Sequence, residues 1–129
     1  MVDKNTGIVA GYYTLANHSI EAGDVPTEIA KKLKLPKNGS LPAAIIGRLA
    51  RDITYRGNGL GPLLAVDAFL KAYNASLKMG CVAVVVDPDG EKAMRFWIDL
   101  GFVPFPTRPE RLFIPMATIK DVLATRDLI

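Results

Sequence analysis

The sequence holds one cysteine, Cys81, and one histidine, His18, so neither an internal disulfide nor a Cys/His zinc site can be built from it. Long apolar runs are missing as well; nothing approaches the roughly 18 consecutive apolar residues that a membrane-crossing helix requires. The start, Met1-Val2-Asp3-Lys4-Asn5, carries no apolar stretch behind a basic head, so no secretory leader is read there and a reducing cytoplasm is expected. There is no internal repeat and no low-complexity tract, which removes solenoids and biased tails. Excess charge is small: 16 Lys and Arg against 13 Asp and Glu leave a net +3, which permits an anionic ligand or RNA without demanding either. What remains is ordinary globular material, 129 residues of which 50% are apolar and 22% charged, enough for one domain with one core.

The stretch GIVAGYYTLANHSI at 7–20 is β-branched and aromatic with partial alternation and reads as a strand. Residues 21–42, punctuated by Gly23, Pro26, Pro36, Gly39 and Pro42, read as an insertion between strands with a short helix at 28–35 that Pro36 stops. A second strand is expected at 43–53. A glycine-rich turn at 56–61 follows, with Pro62 in the first turn of a helix. In that helix Leu63, Val66, Leu70, Tyr73 and Leu77 recur at helical spacing and are assigned to the core, opposite Asp67, Lys71, Asn74 and Lys78, with Gly80 ending it. The run CVAVVV at 81–86 has the length and branching of a strand covered on both faces. A helix presenting Ala93, Phe96, Trp97 and Leu100 and closed by Gly101 comes next. Two antiparallel strands, 102–105 and 111–116, joined by a loop at 106–109, and a terminal helix around 119–123 with Thr118 and Asp121 at capping-box spacing complete the chain.

Three glycines in five residues between a strand and a helix call for a physical reason. Glycine lets backbone or ligand come close, and a helix N-terminus offers bare N–H groups and partial positive charge to a phosphate. Arg56 adds a planar, permanently charged donor. Pro62 stands where the dinucleotide fingerprint needs a third glycine, and no Gly-Lys-Ser/Thr follows, so both common phosphate motifs are excluded. The turn by itself fits an anion site or a plain tight connection equally well.

The segment RLARDITYRGNGLG at 48–61 resembles the acetyl-CoA-binding motif of the Gcn5-related N-acetyltransferases (GNAT). AMRFWIDLGF at 93–102 is similar to the family's A-x-x-F-Y-x-x-x-G-F, and the apolar strand and closing strand pair fall in the family's order over residues 7–129. GYYTLA at 11–16 and RLARD at 48–52 bring the chain closest to the acetyltransferase toxins of bacterial toxin–antitoxin pairs. The resemblance implies a single α/β domain over residues 1–129. Its mixed, mostly antiparallel sheet would be of the GNAT acyl-CoA N-acyltransferase type, with a central parallel strand pair and without the usual first strand and helices. It implies acetyl-CoA as cosubstrate, no metal, and direct attack by a primary amine, with aminoacyl-tRNA as a candidate acceptor and a ribbon-helix-helix antitoxin as a candidate partner. The missing first strand and helices leave a sheet edge that invites a homodimer.

The same resemblance assigns the site. Backbone N–H groups of Gly57, Gly59, Leu60 and Gly61, with Asn58 in the turn and Arg56 beside it, would face the diphosphate. The backbone of Leu49, Ala50 and Arg51 would pair with the pantetheine arm and point an N–H at the thioester oxygen. Two residues depart from the family pattern. Pro62 replaces a basic residue, and Trp97 occupies the position of the tyrosine that protonates the departing sulfur; an indole N–H donates a hydrogen bond but does not release its proton. The chain is therefore read as an N-acetyltransferase, with a catalytically impaired relative that binds CoA or a protein partner as the alternative. An RNA-binding module, resting only on Lys31, Lys32, Lys34 and Lys37, is the third reading. Cys81 reads as a small core residue. His18 reads either as a base toward the amine or as a surface residue in a turn.

Overall fold

The computed structural model describes residues 11–36, 38–51 and 60–129. In chain order these form β1 (Gly11–Glu21), a 3-10 turn (Ala22–Asp24), α1 (Thr27–Leu33), β2 (Ser40–Arg51), α2 (Leu60–Met79), β3 (Ala83–Val86), α3 (Glu91–Asp99), β4 (Val103–Phe105), β5 (Arg108–Pro115) and α4 (Met116–Thr125). The strands make one sheet in the order β1-β2-β3-β5-β4. Only β2 and β3 run parallel; β1–β2, β3–β5 and β4–β5 are antiparallel. This is the mixed sheet with a central parallel pair that the sequence led one to expect.

β3 is the strand with both faces covered, and its four residues are all buried. Val84 and Val86 point into the larger core with Ala44, Ile46, Leu112 and Ile114, on the side of α2, α3 and α4. Ala83 and Val85 point the other way, into a smaller core with Ile20, Leu41, Ala43, Phe105 and Phe113, which α1 covers through Ile29 and Ala30. A continuous apolar run is what two-sided burial requires of a central strand. Among the described residues no helix is long and apolar enough to cross a membrane.

Four expectations are corrected. The inner face of α2 is Leu64, Ala65, Ala68, Phe69 and Ala72, whereas Leu63 is 53% and Leu77 68% exposed; Val66, Leu70 and Tyr73 only flank the core. Three alanines let the helix lie close on the sheet, and a reading weighted by side-chain size placed the stripe on the wrong phase. α1 ends at Leu33 because Lys34 turns left-handed (φ 56°), with the N–H of Leu35 bonded back to Ala30 O at 2.9 Å, so the helix closes before Pro36 acts. α4 begins at Met116, directly after Pro115, which leaves Thr118 inside the helix and not at a cap. The expected 106–109 loop shrinks to a two-residue turn, and Pro109 lies in the irregular stretch between the pairs Pro104–Leu112 and Phe105–Arg108, where its missing N–H breaks no ladder bond. The end of α2 is as expected: Gly80 has φ 73° and its N–H reaches Ser76 O at 3.0 Å.

Candidate functional site

The parallel register sets the site. β2 and β3 pair through Ala44–Val84, Ile45–Val85 and Ile46–Val86, and there β3 ends. β2 runs on through residues 47–51, still paired on its other side with β1 as far as Gly11–Arg51. Five residues at about 3.3 Å each leave some 17 Å of strand edge facing away from β1 with no strand partner among the described residues. A bulge stands at the start of this stretch: the β1–β2 ladder passes from Thr14–Arg48 to Leu15–Ile46 and skips Gly47. A Cβ on Gly47 would stand 2.8 Å from Thr14 Oγ1, so any other residue here forces the Thr14 side chain or β1 to move. Bulges bend and re-aim the strand that carries them.

Leu49, Ala50 and Arg51 lie on this free edge. Arg56, Gly57, Asn58 and Gly59 lie outside the described residues, in the segment from the end of β2 to the start of α2. Leu60 and Gly61 open α2, whose first-turn N–H groups have no partner within the helix. Pro62 is the third helical residue, where its missing N–H removes one such donor. The sheet and α2 thus bring an open strand edge and a helix N-terminus to the two ends of one short connection.

A side-chain clamp ties α2 to the edge strand. The hydroxyl of Tyr13, on β1 opposite Leu49, donates to Asp67, and Lys71 sits 3.5 Å from that carboxylate and 5.1 Å from the Tyr13 ring centre. Burial, then the bond to Asp67, pushes the Tyr13 phenol above its usual pKa. On the opposite face of the sheet Arg111 forms a fork on Asp87, Nε–Oδ1 at 2.7 Å and Nη2–Oδ2 at 2.8 Å, and its Nη1 reaches His18 Nε2 at 3.1 Å. The guanidinium holds the Asp87 carboxyl below its ordinary range. Arginine only donates, so in this contact His18 Nε2 is the acceptor. His18 lies within β1 and not in a turn, and its basic lone pair is spent on Arg111, which removes it as a base toward an amine in this arrangement.

Trp97 is 7% exposed, edge-on to Phe96 at 4.9 Å and to Phe102 at 5.2 Å between ring centres. It packs in the larger core beneath β3, with Val84 and Val86. Cys81 is half-buried just before β3, its thiol donating to Ala83 O at 3.2 Å, and burial raises its pKa. A thiol held protonated is a poor nucleophile, in keeping with a packing role. Lys31, Lys32 and Lys34 are exposed along α1 and its end, and Lys37 lies outside the described residues. The sequence reading missed the Gly47 bulge, the Tyr13–Asp67 clamp and the Asp87–Arg111–His18 cluster. Of these, only the bulge left a signal, a lone glycine inside a strand pattern.

No family model matches the chain. Among curated proteins, a probable toxin TacT of Sinorhizobium fredii is 33% identical over 130 residues, covering 95% of this chain and 71% of the relative. A tRNA-acetylating toxin of Mycobacterium tuberculosis is 31% identical over 117 residues, covering 91% and 68%. Among solved structures, AtaT complexed with acetyl-methionyl-tRNAfMet matches with a TM-score of 0.82 at 31% identity, over 94% of this chain and 71% of that one. AtaTR bound with acetyl-CoA matches with a TM-score of 0.75 at 31% identity, over 95% and 71%.

Proposed function

This chain belongs to the GNAT-type acetyltransferase toxins of toxin–antitoxin systems, and on that basis we propose that it moves an acetyl group from acetyl-CoA to the free amine of an aminoacyl-tRNA. The observation that carries the proposal is the overrun of β2 past β3, a strand edge five residues long with no strand partner among the described residues, followed in the sequence, after residues 52–59, by the N-terminus of α2. An extended amide-bearing arm adds to such an edge as a further strand would, and a diphosphate is held where bare helix N–H groups meet it. Acetyl-CoA has both parts in that order and supplies an activated thioester.

The roles of the chain's own residues follow. Main-chain groups of Leu49, Ala50 and Arg51 bind the arm, and one N–H there polarises the thioester carbonyl; a donor of this kind is worth about 3–4 kcal/mol in the transition state. Leu60 and Gly61, with Arg56, Gly57, Asn58 and Gly59, hold the diphosphate. Trp97 offers no transferable proton, so the thiol leaves as thiolate. At a thiol pKa near about 8.5 that departure is slower than an assisted one but not blocked. The protein acts in the cytoplasm, where charged tRNA is found, as at least a dimer over the edge of β1, and a small antitoxin, in the place of the antitoxin AtaR bound to AtaT, restrains it.

Calorimetric titration with acetyl-CoA followed by thiol release in the presence of charged tRNA tests this reading. Binding with release supports it, and no binding removes it. The burial of Trp97 in an aromatic cluster favours a second reading, a relative that binds CoA with little turnover. Binding without release on any amine would select that one.

A further inference from the structure

The β2–β3 seam is held by three residue pairs, the last of them Ile46–Val86 at the apex of the gap. β1 belongs to the half of the sheet that carries β2, and β5 to the half that carries β3. Arg111 on β5 falls one residue beyond the pair Val86–Leu112, level with Asp87, so it stands at the height of the apex. It shares a face with Phe113, two residues on, and His18 shares that face with Ala43, its partner on β2; Phe113 and Ala43 both belong to the core on the side of α1. The contact between Arg111 Nη1 and His18 Nε2 at 3.1 Å therefore runs diagonally across β3 and β2, on the face away from α2, from the level of the apex on β5 to the level of Ala43 at the other end of the seam, and ties the two halves of the sheet together along its length. The fork on Asp87 fixes the guanidinium at its other end, and the Arg111 side chain is only 19% exposed.

We propose that Arg111 is a positioning residue which, through its bridge to His18, sets the width of the β2–β3 gap and thereby the fit of the pantetheine arm of acetyl-CoA. The inference rests on the cofactor reading above. The bridge lies on the face of the sheet away from α2, so it governs the arm and leaves the nucleotide end alone. His18→Ala removes the bridge while sparing the Arg111–Asp87 fork. His18→Gln keeps an acceptor oxygen within reach of Nη1.

The test is calorimetry on the wild type and both variants with two probes, acetyl-CoA and 3′-phospho-ADP, which keeps the nucleotide and diphosphate and lacks the arm. His18→Ala should weaken acetyl-CoA about tenfold, the scale of one hydrogen bond from a charged donor, with 3′-phospho-ADP unchanged and His18→Gln close to wild type. Unchanged acetyl-CoA affinity in His18→Ala overturns the proposal. So does an equal loss for both probes, which would mark general damage to the sheet. A wild type that binds 3′-phospho-ADP as tightly as acetyl-CoA would show that the arm gains nothing from the gap and overturns it too. A wild type that binds neither probe overturns the functional reading itself, and this inference falls with it.

Discussion

Replacing Gly47 by alanine probes the bulge at the start of the β2–β3 gap. The added Cβ would lie 2.8 Å from Thr14 Oγ1, below any ordinary van der Waals contact. Gly47 does not occupy the left-handed region, so the cost is steric rather than conformational. Threonine is branched at Cβ and stiff at χ1, so relieving the contact means either turning Thr14 into the rotamer that points only its hydrogen at the new methyl group or shifting β1 against β2. Overpacking of this kind costs about 1–3 kcal/mol, which for a domain of this size lowers Tm by roughly 3–10 °C. Thr14→Ala removes the opposing atom. In a double-mutant cycle the Gly47→Ala penalty should therefore shrink by at least about 1 kcal/mol in the Thr14→Ala background. Acetyl-CoA affinity, read by calorimetry, should fall in Gly47→Ala and recover in the double variant. Additive stability effects with no recovery of binding would show that the bulge neither depends on this contact nor shapes the gap.

Four further outcomes are expected. Trp97→Tyr restores a group able to release a proton and should raise turnover by about 10–100-fold in the thiol-release assay, at some loss of packing against Phe96 and Phe102; an unchanged rate would show that thiol departure is not limiting. Tyr13→Phe removes the donor to Asp67 and should cost about 0.5–1.5 kcal/mol in urea unfolding, and no loss would mean that the clamp is idle. Asp87 has its folded pKa lowered by Arg111, so the pair stabilises the fold above the ordinary carboxylate value of about 3.9 and that contribution disappears as pH falls through the folded value; Asp87→Asn should flatten the acid limb of the stability profile, and an unaltered limb would refute the assignment. Burial raises the Cys81 pKa, so its alkylation at pH 8 should be slower than that of a free thiol, and Cys81→Ala should leave acetyl transfer unchanged.

Much of the architecture was legible because its signals were local. The apolar run that became β3, the glycine that closes α2 and the order of elements each follow from a few neighbouring residues. The family likeness was legible through one glycine-rich segment and one aromatic motif, in a chain that is about one-third identical to a curated relative over 95% of its length. The inner face of α2 was not, because alanines at 65, 68 and 72 carry little weight in a pattern ranked by size yet are what allows close approach to the sheet. The clusters at Tyr13 and Arg111 join residues 54 and 93 positions apart, and no periodicity encodes such pairs. His18 illustrates the consequence: its residue type suggested a base, and a distant arginine assigns its lone pair elsewhere.

The central claim is that acetyl-CoA lies in the gap, its arm along residues 47–51 and its diphosphate on the amides that open α2. A crystal structure with acetyl-CoA tests this most directly. The account predicts the arm hydrogen-bonded to β2 between Ile46 and Arg51, with the thioester at the apex beside Val86. An arm lying elsewhere, or a gap filled by the protein's own main chain, would contradict it.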